Sequence, residues 1–289
     1  MSCDIALVTC AELPDLDPDD RPLAAALRAS GLSVEIAVWD SPDFDWASAR
    51  LALLRNPWDY FHRLDEFLAW GERVAAVSRL QNPLDAVRWN LHKRYLVELD
   101  RLGAPVVPTV LVERGGELGL GALVRERGWG RVVVKPAVSA DSWRTLVVDA
   151  EGLAEGQAHL DDLAAERDVL VQPFLDSVES EGERCLVFLD GAYSHAIRKN
   201  SLTRGGRWAG LPEGVAVTAE ADELEAARAV LARIPFGDLL YARVDLVRDG
   251  GGRPRLLELE LVEPTLFLTT SPAGLERLVG AIGRRLARG

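Results

Sequence analysis

Apolar positions in this 289-residue chain repeat with two spacings, and the way those spacings alternate outlines the architecture. Asp4–Cys10 is an apolar run of strand length. Pro22–Ser30 has helical spacing and stops at Gly31, and Ser33–Trp39 reads as a second strand. Arg50–Leu54 predicts a short third strand. Trp58–Trp70 predicts an amphipathic helix with Phe61, Leu64 and Leu68 on one face, and Val74–Val77 a further strand. Strands and helices alternating at this pace predict a small doubly wound α/β unit. The turn after the first strand, Ala11–Asp20, is acidic and expected to be mobile. It lacks G-x-G-x-x-G, which argues against a dinucleotide site.

A second block follows. Asn82-Pro83 opens a helix expected to run to about Leu102, closed by Gly103, with Val106–Glu113 as a strand. Leu118–Gly128 is a predicted helix, Arg131–Lys135 and Thr145–Val148 a strand pair around a polar loop, Leu153–Glu166 a helix and Asp168–Phe174 a buried strand. The last portion opens with Arg184–Leu189 and Ala192–Arg198, joined by the hairpin signal Asp190-Gly191. A polar loop (Ser201–Gly214), a helix (Ala219–Ile234), a hairpin and a final helix (Pro272–Arg288) complete the chain. The expected division is residues 1–88, 89–174 and 175–289.

Composition narrows the function. A 48% hydrophobic, 27% charged chain is an ordinary globular protein, and a net charge of −12 argues against a nucleic-acid partner. No export signal is visible and no apolar run approaches bilayer length, so no membrane role is expected. Cys3, Cys10 and Cys185 have no metal or redox spacing and point to a reducing cytoplasm. Lys93, Lys135 and Lys199 are the chain's three lysines, so each is a candidate for chemistry.

The sharpest signal is the late hairpin. Tyr241–Val247 and Arg255–Val262 are strand-like and joined by Arg248-Asp-Gly-Gly-Gly-Arg253, which brings Asp245 alongside Glu258 and Glu260 on one face. Three carboxylates there call for a hard cation, Mg²⁺ with nucleotide phosphates, and hence ATP chemistry. No P-loop is present. Lys135 ends the strand Val132-Val-Val-Lys135 before a Ser-rich loop, where it would meet phosphates or snorkel to solvent. Lys93, in a helix after Trp89-Asn-Leu-His, reads by itself as a solvated charge. Leu170–Leu175 is a strand ending in a hinge (Gln172, Pro173, Phe174, Leu175) suited to an adenine edge, and Glu179 is either a solvated loop acid or a ribose acceptor. Arg198 and Lys199 end a hairpin strand, and Arg243 shares a strand face with Asp245. Such a cation is either a counterion or an anchor for an anionic substrate.

Taken in order, these residues resemble the ATP-grasp superfamily, especially its glutathione-synthetase-like and ribosomal-protein-S6-modification-like ligases. The matching stretches are Asn90-Leu-His-Lys93, Val132-Val-Val-Lys-Pro136, Gln172-Pro-Phe-Leu175, Gly182-Glu-Arg184, His195-Ala-Ile-Arg-Lys199, Arg243-Val-Asp245 and Glu258-Leu-Glu-Leu-Val-Glu-Pro-Thr265. The resemblance implies an α/β (α+β) ATP-grasp fold: an N-terminal doubly wound domain, a central lid module and a C-terminal antiparallel-sheet module. It implies that Lys93 and Lys135 touch ATP phosphates, that Gln172–Leu175 hold adenine and that Glu179 takes the ribose. Arg184, Arg198 and Arg243 would stabilise transferred phosphate or substrate carboxylate, with Arg184 and Lys199 counted among the nucleotide contacts. Asp245, Glu258 and Glu260 would hold one or two Mg²⁺ ions. Two departures stand out: Glu260 where the family often has Asn, and Val138–Ser142 without the usual lid glycines.

The implied activity is an ATP- and Mg²⁺-dependent carboxylate–amine ligase working through an acyl phosphate on small-molecule substrates, with a lid at 137–143 and 200–214 excluding water. Trp58-Asp-Tyr-Phe-His-Arg63, Asn90–Leu96 and Glu258–Leu268 look like the subgroup of specialised amino-acid metabolism that includes the enzyme closing the cycloserine ring. Two rivals stay open, a phosphotransferase and a non-catalytic nucleotide-binding subunit. A homodimer, as in many relatives, is also left open.

Overall fold

Three sheets organise the computed structural model, which describes residues 2–140, 142–199 and 214–288. The first is parallel, in the order β2-β1-β3-β4. It comprises β1 (Cys3–Thr9), α1 (Arg21–Ala29), β2 (Val34–Val38), β3 (Ala49–Asn56), α2 (Leu64–Val77) and β4 (Arg79–Gln81). Burial on both faces explains why the centres of β1 (Ile5–Val8) and β3 (Leu51–Leu54) read as apolar runs. Val74–Val77 is not a strand. It is the last turn of α2, whose Phe67, Trp70, Gly71 and Val74 are buried at helical spacing while Val77 stays 52% exposed.

The Ala11–Asp20 turn corrects a second expectation, since Asp17, Asp19 and Asp20 are all buried. Asp20 forks Arg55 at 2.8 and 3.3 Å, and Asp19 accepts the backbone N–H groups of Leu268 and Thr269. Its acids are internal ties to distant chain, which composition alone cannot show.

The second sheet is antiparallel, in the order β5-β8-β6-β7. It follows α3 (Leu84–Asn90) and α4 (Tyr95–Arg101) and comprises β5 (Val110–Val112), α5 (Leu120–Arg127), β6 (Val132–Pro136), β7 (Leu146–Val148), α6 (Leu153–Glu166) and β8 (Val169–Pro173). The single helix expected from Asn82 to Leu102 is interrupted at Leu91–Arg94, because the Lys93 N–H turns aside to the Ala137 carbonyl at 2.8 Å. Lys93 is therefore not a helical surface lysine. The strand expected over Val106–Glu113 shrinks to β5 plus an isolated bridge from Val106 to Leu256.

The third sheet, antiparallel, runs β11-β10-β9-β12-β13. Its chain order is α7 (Ser177–Ser180), β9 (Glu183–Leu189), β10 (Ala192–Lys199), β11 (Gly214–Val217), α8 (Ala221–Leu231), β12 (Tyr241–Arg248), β13 (Pro254–Glu260) and α9 (Pro272–Ala287). β11 takes the end of the expected polar loop; residues 200–213 lie outside the described residues. α9 returns to the first unit, packing Leu278, Ile282 and Leu286 with Ile5, Leu7, Leu23 and Leu27. β13 is an edge strand, but side chains from earlier elements cover that edge. Asn90 donates to Leu259 O and accepts from Leu261 N, while the Tyr95 hydroxyl accepts from Leu259 N. Asn82 adds bonds to Tyr241 O and Leu261 O.

Candidate active site

Strand parity builds the site. β12 pairs with β13 so that Arg243 faces Glu260 and Asp245 faces Glu258. Asp245 also lies opposite Cys185 of β9, and Glu183 opposite Lys199 of β10. Alternate residues share a face, so Glu183, Lys199, Arg243, Asp245, Glu258 and Glu260 all project to one side. Of these, Glu183, Lys199, Arg243, Glu258 and Glu260 line a cavity of about 790 Å³, with Asp245 buried behind them. Lys93, Lys135, Ser139, Ser142, Phe174 and Leu175 wall it from the second sheet and its loops. Gly182 makes the Glu183–Lys199 register feasible. Its φ is +77°, and a Cβ there would sit 2.3 Å from the Lys199 carbonyl.

Each acid on this face is held by a cation. Lys93 Nζ lies 3.1 Å from Glu258 and 2.6 Å from the Ser139 carbonyl. Lys199 bridges Glu183 at 2.9 Å and Asp245 at 3.1 Å. Arg243 forks Asp245 with two bonds of 2.9 Å and also contacts Glu260. Burial alone would raise the Asp245 carboxyl, but Arg243 and Lys199 outweigh it and hold it below the usual range. Glu258 is likewise lowered, by Lys93 and Lys135 against burial. Glu260 goes the other way. Burial, with Asp245 and Glu258 alongside, outweighs Arg243 and pushes it up to about 8. Burial lowers Lys135, which has no ion-pair partner among the described residues although Glu258 opposes the shift.

The oxygen donors suit a hard divalent ion with a triphosphate. A carboxyl as far raised as Glu260 is one short of positive charge, and Lys135, which has no ion-pair partner among the described residues, lines the same cavity. Asp245, Glu258 and Glu260 are the residues that would hold Mg²⁺. Among the described residues, the three-donor group lying within 4.8 Å is instead Glu183, Cys185 and Asp245. Burial pushes the Cys185 thiol well up, and a protonated soft donor is no ligand for Mg²⁺, so Glu183 is the useful addition from that group.

Two expected residues are misplaced by parity. Arg184 and Arg198 are strand neighbours of Glu183 and Lys199 and so belong to the opposite face. Arg184 bonds Glu223 at 2.9 Å and the Thr218 carbonyl at 3.0 Å, away from the cavity. Glu179 also stands outside the walls, paired with Arg131 at 3.0 Å, whose guanidinium lies over Phe174 at 4.2 Å. The hinge does line the cavity. Gln172 is buried and bonds Thr109 at 2.9 Å, Phe174 N–H is taken by Arg131 O, and Leu175 N–H has no partner among the described residues. Ser139, Ala140 and Ser142 of the expected lid reach the cavity, whereas Asp141 lies outside the described residues.

Trp58, Tyr60, Asp17 and Glu263 were not anticipated as wall residues. Glu263 sits inside a quoted motif, but nothing in its spacing marks it. His195 bonds the Leu266 carbonyl at 2.8 Å and is not part of the wall.

The comparisons with known proteins decide the family. Residues 5–82 match the family described as D-cycloserine synthetase DcsG, N-terminal domain. Cycloserine biosynthesis protein DcsG of Streptomyces lavendulae is 38% identical over 308 aligned positions, covering 98% of each chain. The chain belongs to this family of ATP-grasp ligases. The crystal structure of D-cycloserine synthetase DcsG superposes on this ligase with a TM-score of 0.87 at 35% identity, covering 98% of this chain and 99% of that one. A RimK domain ATP-grasp protein from Sphaerobacter thermophilus shares the fold at TM-score 0.69 and 20% identity, covering 97% and 98%. ATP-grasp ligase PsnB, seen with Mg and ADP, does so at 0.62 and 18%, covering 99% of each chain. The fold is thus ATP-grasp and the enzyme an ATP-dependent C–N ligase. No helix among the described residues of the ligase is long and apolar enough to cross a membrane.

One pH dependence follows from the ligase's wall. Glu263 is pushed up to about 7, chiefly by burial and by Glu258, against the Tyr60 hydrogen bond, Lys93 and Arg243. A carboxyl raised on folding binds its proton more tightly in the folded state, so its ionisation costs stability as pH rises from the ordinary 4.5 through 7. Ligand-free Glu263→Gln is therefore expected to gain thermal stability relative to wild type over that interval. Parallel melting curves at its two ends check this; a constant difference contradicts it.

Proposed function

We propose that this ligase closes a ring within one small amino-acid-derived molecule, joining its carboxyl carbon to a nitrogen through an acyl phosphate formed from ATP. The observation carrying the reading is the sheet face that gathers Asp245, Glu258 and Glu260 beneath Lys93 and Lys135. The full-length similarity to a cycloserine synthetase supports the substrate class.

In the first step a carboxylate oxygen bonds to the γ-phosphorus as the bond to ADP breaks. In the second, the nitrogen forms its bond to the acyl carbon, phosphate leaves with its bridging oxygen, and the nitrogen gives up a proton. When bound, Mg²⁺ would neutralise charge on the phosphoryl oxygens. Lys93, Lys135, Arg243 and the Gln172–Leu175 hinge all line the cavity; on this reading the lysines meet the phosphates, the hinge the adenine, and Arg243 the carboxylate and its phosphorylated form. Ser139, Ala140 and Ser142 cover the cavity and limit hydrolysis of the acyl phosphate.

Opening cycloserine at its amide-type bond gives an aminooxy derivative of serine, the natural test substrate. With its carboxyl labelled by oxygen-18, turnover with ATP and Mg²⁺ should transfer one labelled oxygen to inorganic phosphate. Ring closure without label transfer rejects the acyl phosphate. Lys135→Ala should weaken ADP binding by about 10–100-fold, the worth of a charge-assisted contact. Equilibrium titration reads it, and unchanged affinity removes Lys135 from the phosphate site.

A further inference from the structure

The N-terminal unit and the segment after β13 also wall the cavity. Asp17 reaches it from the loop after β1, Trp58 and Tyr60 from the segment after β3, and Glu263 and Thr265 from the segment after β13. That last segment is gripped through its backbone. Three successive carbonyls, those of Glu263, Pro264 and Thr265, accept from Trp58 Nε1 at 3.1 Å, Arg55 Nη2 at 2.7 Å and Arg243 Nη1 at 3.0 Å. The main chain is clamped here, and the Glu263 carboxyl lies beside the hydroxyl of Tyr60, which is 4% exposed.

Asp17 lines the same cavity and is itself only 4% exposed. One of its carboxylate oxygens accepts the Asp19 N–H at 2.8 Å, and its backbone N–H is tied to Asn56 at 3.0 Å. Its other carboxylate oxygen has no partner among the described residues. The cations acting on Glu263 are committed elsewhere, Lys93 to Glu258 and Arg243 to Asp245 and Glu260. Burial accordingly raises both Asp17 and Glu263. Two enclosed acids beside an indole and a phenol ring lack a compact positive group with several N–H donors. A primary ammonium has that chemistry.

We propose that Asp17 and Glu263, with Tyr60, hold the ammonium group of the amino-acid-derived substrate and so turn its carboxyl end toward Arg243 and the phosphate-binding lysines. They determine specificity, selecting a free amine and fixing the hand of the bound molecule, because amine and carboxyl are each tied to their own residues of the cavity. The assignment rests on the ring-closing reading above.

The test titrates the full-length protein, loaded with ADP and Mg²⁺, with D-cycloserine and with the unsubstituted isoxazolidinone ring that lacks its amine. Wild type should bind D-cycloserine about 10–100-fold more tightly than the amine-free ring. E263Q or D17N should remove most of that margin while ADP and the amine-free ring bind as before, which also shows that the variants fold. Unchanged D-cycloserine affinity in both variants overturns the assignment, as does an equal loss for both ring compounds, the mark of disturbed packing. Either result leaves the ligase reading standing. A wild-type protein that binds ADP but neither ring compound refutes the ring-closing reading and the assignment together.

Discussion

Glu258→Gln is expected to slow ADP-forming turnover by about 10²–10³-fold, the usual loss when one preorganised electrostatic partner of a transferring group is removed. Glu258 stands where the cationic and anionic halves of the site meet. It lies opposite Asp245 across β12 and β13 and pairs with Lys93 at 3.1 Å, while Lys135 acts on it from the cavity wall. An amide keeps the shape and one acceptor but removes the charge. Lys93 and Lys135 would then repel each other across the phosphate site, and the acids of the face would fall to Asp245, Glu260 and Glu183. Steady-state rates over a range of Mg²⁺ concentrations should show both the lower maximum and a higher metal requirement. A rate within about threefold of wild type would remove Glu258 from the reacting centre, a gap well under the loss expected above.

The largest stability effect is expected far from the phosphates. Asp20→Ala should cost about 3–5 kcal/mol, because it strands the Arg55 guanidinium in the interior. The two side chains are 1% and 0% exposed, and Asp20 also accepts from Asn56 at 2.9 Å. Arg55 in turn holds the Pro264 carbonyl at 2.7 Å, so the pair ties the loop after β1 to the segment carrying Glu263. The melting temperature should fall by roughly 6–20 °C on ordinary scaling for a chain of this size. Asp15→Ala, in the same loop but exposed, should stay within about 0.5 kcal/mol and serves as the comparison. If the two variants melt together, the buried pair contributes nothing and the view of this loop as an internal clamp is wrong.

Much of the active face was legible without coordinates. The glycine-rich hairpin connection and period-two spacing are enough to align Asp245, Glu258 and Glu260, because a strand leaves its side chains only two directions. The same rule, applied with more care, would have excluded Arg184 and Arg198. Each is one residue from a site residue and must point the other way. Glu179 shows another limit: Arg131, with which it pairs, comes from 48 positions earlier in the chain, and nothing local announces that partner.

By itself the sequence determined most of the strands and helices and the acidic hairpin, which follow from local spacing and from side chains that must share a face, while its ordered motifs carried the resemblance to the ligase family. The fold alone decided which distant groups meet. The bend at Leu91–Arg94 delivers Lys93 to Ser139 and Glu258, the acidic turn is drawn inward by Arg55, and Asp17, Tyr60 and Glu263 converge from three separate segments. Such meetings depend on burial and on hydrogen-bond partners far apart along the chain. Periodicity records which way a side chain points, not what the folded chain brings in front of it.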